Sequence, residues 1–168
     1  MSRIRFVGED DCLNQVCQPV DIDDLKNHKF KYVPLFEDLI KKVKKKGGCG
    51  IAAPQIGELV SVIVIKVNGV ISDENNTKIT LKDNHPLIAI NPTFKPTSDQ
   101  TKTDIEGCLS IPNKFFNIER YVEGVVDFYT INGEKHTYFV KDFVSRVFQH
   151  EIDHLNGITL INREIKGE

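Results

Sequence analysis

The sequence predicts an α+β domain, mainly antiparallel sheet packed around a buried helix that carries His-Glu-x-x-His. Three observations predict it. Val- and Ile-rich segments at residues 60–67 and 87–90 read as strands. Two further strand-like runs, 121–131 and 136–140, are separated by Asn132-Gly133, a hairpin signal. The last long segment, from Asp142 to Gly157, has helical periodicity and follows the strands, an order typical of α+β domains.

Taken in order, the first element is a helix. Leu35, Phe36, Leu39, Ile40 and Val43 recur at helical spacing, and the lysines within residues 41–46 run up to Gly47, which fits a helix closing on glycine. Positive charge suits the negative end of a helix, so these lysines read as a solvated face. Between the first two strands, residues 68–84 are polar enough for a long loop or an exposed hairpin. The late helix is expected to start on Asp142 as N-cap and stop at Asn156-Gly157 after about four turns. Phe143, Val147, His150 and His154 share one of its faces. Val144, Phe148, Ile152 and Leu155 spread apolar contact around the remainder, so the helix should be largely buried. Residues 158–161 are apolar enough for a short strand, leaving 162–168 as a polar tail.

A chain of 168 residues without repeats or a Pro/Ser-rich linker is expected to be one domain, residues 1–168. A formal charge of -2 excludes the basic excess of a dedicated DNA or RNA binder. No apolar stretch approaches membrane-spanning length and none follows the N-terminal residues, so a cytoplasmic location is expected. Cys12, Cys17, Cys49 and Cys108 form no Cys-x-x-Cys pair. Cys12 and Cys17 read as ordinary thiols of a reduced compartment, and Cys49 as a packing residue.

The chemistry concentrates in His150-Glu151-Ile152-Asp153-His154. Residues four apart share a helical face, so two imidazoles so placed can bind one metal ion with a glutamate beside them. Two histidines leave a metal under-coordinated. The position where a metzincin carries its third His is Leu160, and too little chain follows for the downstream carboxylate of thermolysin-like enzymes. The third ligand is therefore expected upstream, where spacing leaves His28, His85, His136, the carboxylates and the cysteines all open.

Read together, Gly48-Cys49-Gly50-Ile51-Ala52-Ala53-Pro54-Gln55, Glu106-Gly107-Cys108-Leu109-Ser110 and Gln149-His150-Glu151-Ile152-Asp153-His154 resemble the three signature blocks of the peptide deformylases, in the same order. The resemblance implies a hydrolase that removes the formyl group from the N-terminal formylmethionine of new polypeptides. It implies that Cys108, His150 and His154 hold one divalent ion, by family preference Fe2+, with Zn2+, Ni2+ or Co2+ also suited to one thiolate and two imidazoles. Glu151 would carry the proton from water to the departing amine. The Gln55 side-chain amide and the Leu109 backbone N–H would donate to the formyl oxygen, and Gly50 would lie against the bound peptide. Glu106, Arg120 and Asp153 resemble the family's supporting ion network. A true peptidase or a non-catalytic binding module are the competing readings; the missing downstream ligand argues against the first, the presence of Glu151 and Gln55 against the second.

The sequence departs from the family at three places. Asn113-Lys114-Phe115-Phe116 stands where many deformylases carry an arginine, and Arg146 stands where an apolar wall for the methionine side chain is expected. Arg146 would either turn its charge outward, using only its stem, or reshape the pocket. The chain also lacks the long C-terminal helix of some bacterial members and resembles shorter, including phage-encoded, ones. A monomer with weak or transient ribosome contact is the expectation.

Overall fold

The computed structural model describes residues 2–165. Two helices lead, α1 at Ile22–Asn27 and α2 at Val33–Lys46. The strands β1 Gly50–Ala52, β2 Val62–Ile65, β3 Gly69–Ser72, β4 Lys78–Leu81 and β5 Leu87–Pro96 come next. A long hairpin, β6 Thr101–Cys108 and β7 Ile111–Tyr121, precedes β8 Glu123–Tyr129 and β9 Lys135–Lys141. Helices α3, Asp142–Leu155, and α4, Leu160–Arg163, complete the order. The main sheet has seven strands in the order β1-β2-β5-β8-β9-β3-β4, with every neighbouring pair antiparallel. β6 and β7 form a separate two-stranded sheet, and Ile118 of β7 also bridges Glu164.

The sheet is apolar on both faces because each face meets a helix. Ile63 and Ile65 of β2 join Val126, Phe128 and Val140 in packing against Val144, Val147, Phe148 and Leu155 of α3. Val62 and Val64, pointing the other way by the strand's period of two, pack with Leu25 of α1 and Phe36, Leu39 and Val43 of α2. That explains the unbroken Val-Ile-Val-Ile run, in which no residue is more than 2% exposed. A third, smaller cluster of Ile111, Ile118 and Leu160 lies under the β6–β7 hairpin and α4.

Most expected elements stand where the pattern put them. α2 ends on Gly47 in a left-handed conformation, residues 68–84 contain the β3–β4 hairpin, and 130–134 turn β8 into β9. Four details differ. Asp142 does not cap α3: the N-cap is Lys141, with no side-chain bond, and the Asp142 backbone N–H donates instead to Val122 O at 2.7 Å. β9 runs straight into the helix, so strand pairing sets its first turn. Residues 158–161 form no strand: Thr159 caps α4, whose first residues are Leu160 and Ile161, and the Asn162 side chain accepts from the Thr159 N–H at 2.9 Å across the first turn. The expected polar tail thus contributes Asn162 and Arg163 to a helix, while 166–168 lie outside the described residues. The β6–β7 hairpin was not expected, since residues 101–105 are all exposed and carry no apolar alternation.

Gly157 stops α3 with φ of 72°, and a Cβ there would stand 2.7 Å from the Asn14 backbone carbonyl carbon. Left-handed strain and that collision add. Gly157→Ala should lower unfolding free energy by about 2 kcal/mol, read as a shift of the urea midpoint at constant slope. A midpoint equal to that of the unsubstituted chain would refute the steric account.

Candidate active site

The site forms where α3 faces the end of β6. Helical spacing puts His150 and His154 one turn apart, their ring centroids 5.3 Å apart and the rings inclined by 65°. Cys108 approaches from the hairpin, at the register shift before the turn through Leu109 and Ser110. Its Sγ lies 3.4 Å from His154 Nε2. The ligand atoms of Cys108, His150 and His154 all fall within 4.8 Å of one another, the one such His, Cys, Asp or Glu group among the described residues. Bonds of about 2.0–2.3 Å in a tetrahedral site require donors about 3.3–3.7 Å apart, so the sulfur–nitrogen separation fits a shared ion. The other upstream histidines are elsewhere: His28 bonds Asp24, His136 bonds Tyr138 on β9, and His85 lies in the turn before β5.

Burial alone would raise the Cys108 thiol, but the His154 and His150 rings beside it outweigh that and hold it well below the usual thiol value. That direction favours the thiolate, the form that binds metal. Cys17, buried in the main core without such neighbours, is pushed up to about 11. Burial likewise drives Glu151 up to about 7, against the opposing pull of His150 and His154. One Glu151 oxygen, Oε2, is buried without a hydrogen-bond partner.

Gln55 is fixed at both ends of its amide. Its Oε1 accepts from the Ala52 N–H at 2.9 Å, and its Nε2 donates to Ser110 Oγ at 3.1 Å and faces Cys108 Sγ at 3.6 Å. Ser110, 1% exposed, anchors the Gln55 amide, a contact that sequence reasoning passed over although the residue stands in the Glu-Gly-Cys-Leu-Ser block. Gly50 has a more specific reason to be glycine than contact with a peptide. A Cβ there would stand 2.8 Å from Glu151 Oε1 and 2.9 Å from its Cγ.

Behind the ligands runs a chain of charges. Glu106 receives Arg120 through two hydrogen bonds, Nε to Oε2 and Nη2 to Oε1, each 3.0 Å, and its Oε1 also accepts from His150 Nδ1 at 2.8 Å. The His150 ring thus keeps Nε2 for the cluster. Burial opposes ionisation of Glu106, yet the hydrogen bonds from His150 and Arg120 hold its pKa at about 2. Arg120 also reaches Asp153, which in turn binds Arg163 of α4 at 2.9 and 3.1 Å. Glu106, Arg120 and Asp153 therefore form one network, joined by two arginines that sequence reasoning had not placed in it. Arg146 does not turn outward: its Nη1 donates to Glu106 Oε2 at 2.6 Å.

The site opens into a cavity of about 820 Å³ between α3, the β6–β7 hairpin and the glycine segment before β1. Phe115, in the Asn113–Phe116 segment that lacks the expected arginine, lines the cavity and is exposed, as are Ile105 and Phe143. Cys49 lines the same cavity and is exposed, so it is not the packing residue expected; the chain turns there into β1 with Gly48 and Gly50 on either side.

Residues 1–168 match the family described as polypeptide deformylase. The chain belongs to that family. It is 34% identical over 148 residues to a peptide deformylase of Borreliella burgdorferi, covering 83% of this chain and 82% of the relative. A crystal structure of a probable peptide deformylase from Synechococcus phage S-SSM7 superposes with a TM-score of 0.80 at 28% identity, covering 97% and 99% of the two chains. The Met-Ala-Ser-bound class I type b peptide deformylase of Acinetobacter baumannii does so with a TM-score of 0.80 at 27% identity, covering 97% and 98%. Family and cluster together make this a deformylase that holds a divalent metal. No helix among the described residues is long and apolar enough to cross a membrane.

Gly50→Ala should leave metal content unchanged but lower deformylase kcat/KM by about 100-fold, since displacing a reacting group by about 1 Å has that effect. Metal analysis and steady-state kinetics on the same preparation check this, and undiminished kcat/KM would show that Glu151 tolerates the displacement.

Proposed function

We propose that residues 1–168 act as one domain that removes the formyl group from the N-terminal formylmethionine of new polypeptides, releasing formate. The observation that carries this reading is the convergence of Cys108, His150 and His154, with Glu151 buried beside them. The Acinetobacter relative crystallised with Met-Ala-Ser, the peptide that deformylation of formyl-Met-Ala-Ser would leave, supports the substrate class.

In this reading Cys108, His150 and His154 hold one divalent ion, which supplies Lewis acidity to polarise the formyl carbonyl and acidify water. The chain's own groups do the rest. Glu151, with a pKa lifted toward neutrality by burial, accepts the proton of the attacking water and returns it to the departing amine. The Gln55 amide, pinned through Ala52 and Ser110, and the Leu109 N–H in the adjoining turn donate to the formyl oxygen as it gains charge. Because both are held before reaction begins, they lower the barrier without reorganising. Gly50 lines the peptide's path and leaves room for Glu151. We further propose a cytoplasmic monomer with Fe2+ as its native ion. A net charge of -2 offers no general attraction to RNA, consistent with weak or transient ribosome contact.

Turnover of formyl-Met-Ala-Ser by anaerobically purified, metal-loaded protein tests the activity directly. Glu151→Ala should keep one metal per chain and lose catalysis by several orders of magnitude, whereas Cys108→Ala should lose the metal itself. Parallel loss of metal and activity in Glu151→Ala would make Glu151 structural instead. The iron form should also lose activity under peroxide faster than the nickel form, because a thiolate ligand sits on a redox-active ion. Equal half-lives would count against that account.

A further inference from the structure

Arg146 lies four residues before His150 on α3, with its side chain 14% exposed. Its guanidinium spends its donors on one hairpin. Nη1 bonds Glu106 Oε2 at 2.6 Å and Ile118 O at 2.9 Å, and Nη2 bonds Lys102 O at 2.7 Å. These acceptors belong to β6 and β7. The hairpin has no strand pairing to the seven-stranded sheet that supports α3, yet it carries Cys108. Beside the main-chain bond from the Asp142 N–H to Val122 O just past β7, and the bonds of Ser145 and Gln149 to the Tyr121 backbone, side chains of α3 that reach the Cys108 end of the hairpin therefore help set the distance between the cysteine and the two histidines.

Arg146 also completes the surroundings of Glu106. A carboxylate offers about four lone-pair sites. On Oε1 the donors are His150 Nδ1 and Arg120 Nη2; on Oε2 they are Arg120 Nε and Arg146 Nη1. Arg120 sits on the hairpin with Glu106 and reaches α3 through Asp153, but the Glu106 carboxylate itself meets α3 only through the other two donors. Arg146 and His150 approach the carboxylate from α3.

We propose that Arg146 is a positioning residue for the deformylase reaction: it clamps the β6–β7 hairpin and Glu106 to α3, and so orients the His150 ring and keeps Cys108 within reach of both histidines. The proposal rests on the reading that Cys108, His150 and His154 hold the ion. Its planar fork is what the clamp needs, since it meets the three acceptors from two separate nitrogens, whereas a lysine's three N–H donors all sit on one.

The test compares nickel-loaded wild-type protein with Arg146→Met, which keeps an apolar stem without the fork, and Arg146→Lys, which keeps the charge. Supporting groups of this kind are worth about 10–100-fold in metal affinity or activity. Arg146→Met should release nickel to a chelator at least about tenfold faster and lose about tenfold in kcat, with KM for formyl-Met-Ala-Ser changed less than about twofold. Arg146→Lys should fall between the two. Unchanged nickel release and kcat in Arg146→Met, with a changed KM or a changed preference between formyl-Met and formyl-Leu peptides, would overturn the proposal and leave Arg146 as a pocket wall. If Arg146→Met does not fold, Arg146→Lys decides, and wild-type nickel release by that variant overturns the proposal. Nickel held as tightly by Cys108→Ala as by wild type would overturn the ligand reading, and the proposal with it.

Discussion

The structure of the site depends on one buried carboxylate. Glu106 stands on a strand of the small sheet, but half of its donors come from the helix that packs on the large one. A charged group so enclosed would be costly if any donor were missing, because burial removes water and leaves nothing to replace it. Fully surrounded, it holds its charge at neutral pH and passes a fixed orientation to the His150 ring. Asp153 repeats the device one step further out, joining Arg120 to Arg163. The two acids convert a contact between separately hydrogen-bonded sheets into a defined geometry.

Glu151, the proposed general base, is governed by a different constraint, the lack of a side chain opposite it. Gly50 brings bare backbone to the Glu151 carboxylate, and Ala52, two residues on, orients Gln55 through its N–H. The short strand β1 therefore bears on both Glu151 and Gln55, the side chains proposed to carry the proton and to face the formyl oxygen. Its position is in turn set by pairing with β2, whose four buried residues pack on both faces.

How much was legible in the sequence follows from which interactions are local. The His150 and His154 pair is a statement about helical spacing, and α3 has a periodicity strong enough to be read unaided. Asn132-Gly133 announces β8 and β9 for the same reason. Cys108 is different: spacing left it among several candidate ligands, and only the three motif blocks taken together pointed to it, because its place depends on a hairpin folding across to α3. That hairpin was itself hidden, since its outer half is polar and its apolar anchors, Ile111 and Ile118, serve a cluster of their own with Leu160. Arg146 was readable either way until its acceptors were seen, two of them main-chain carbonyls that no side-chain pattern reports. Arg163 was lost in an apparent tail because its partner Asp153 lies across the end of α3.

The separation of the ligands along the chain gives the thiolate a history. Cys108 and His154 are 46 positions apart, with two strands of the large sheet and most of α3 between them. During synthesis the cysteine is added before either histidine exists to share an ion with it. Closing so long a loop costs more chain entropy than forming a local turn, so the completed trio depends on long-range contacts being made. Until then the sulfur has neither the imidazoles that hold it as thiolate nor their cover, and behaves as an ordinary thiol of a growing chain. Capture of the ion is thus tied to the arrival of α3, and the metal centre reports that the whole domain has come together.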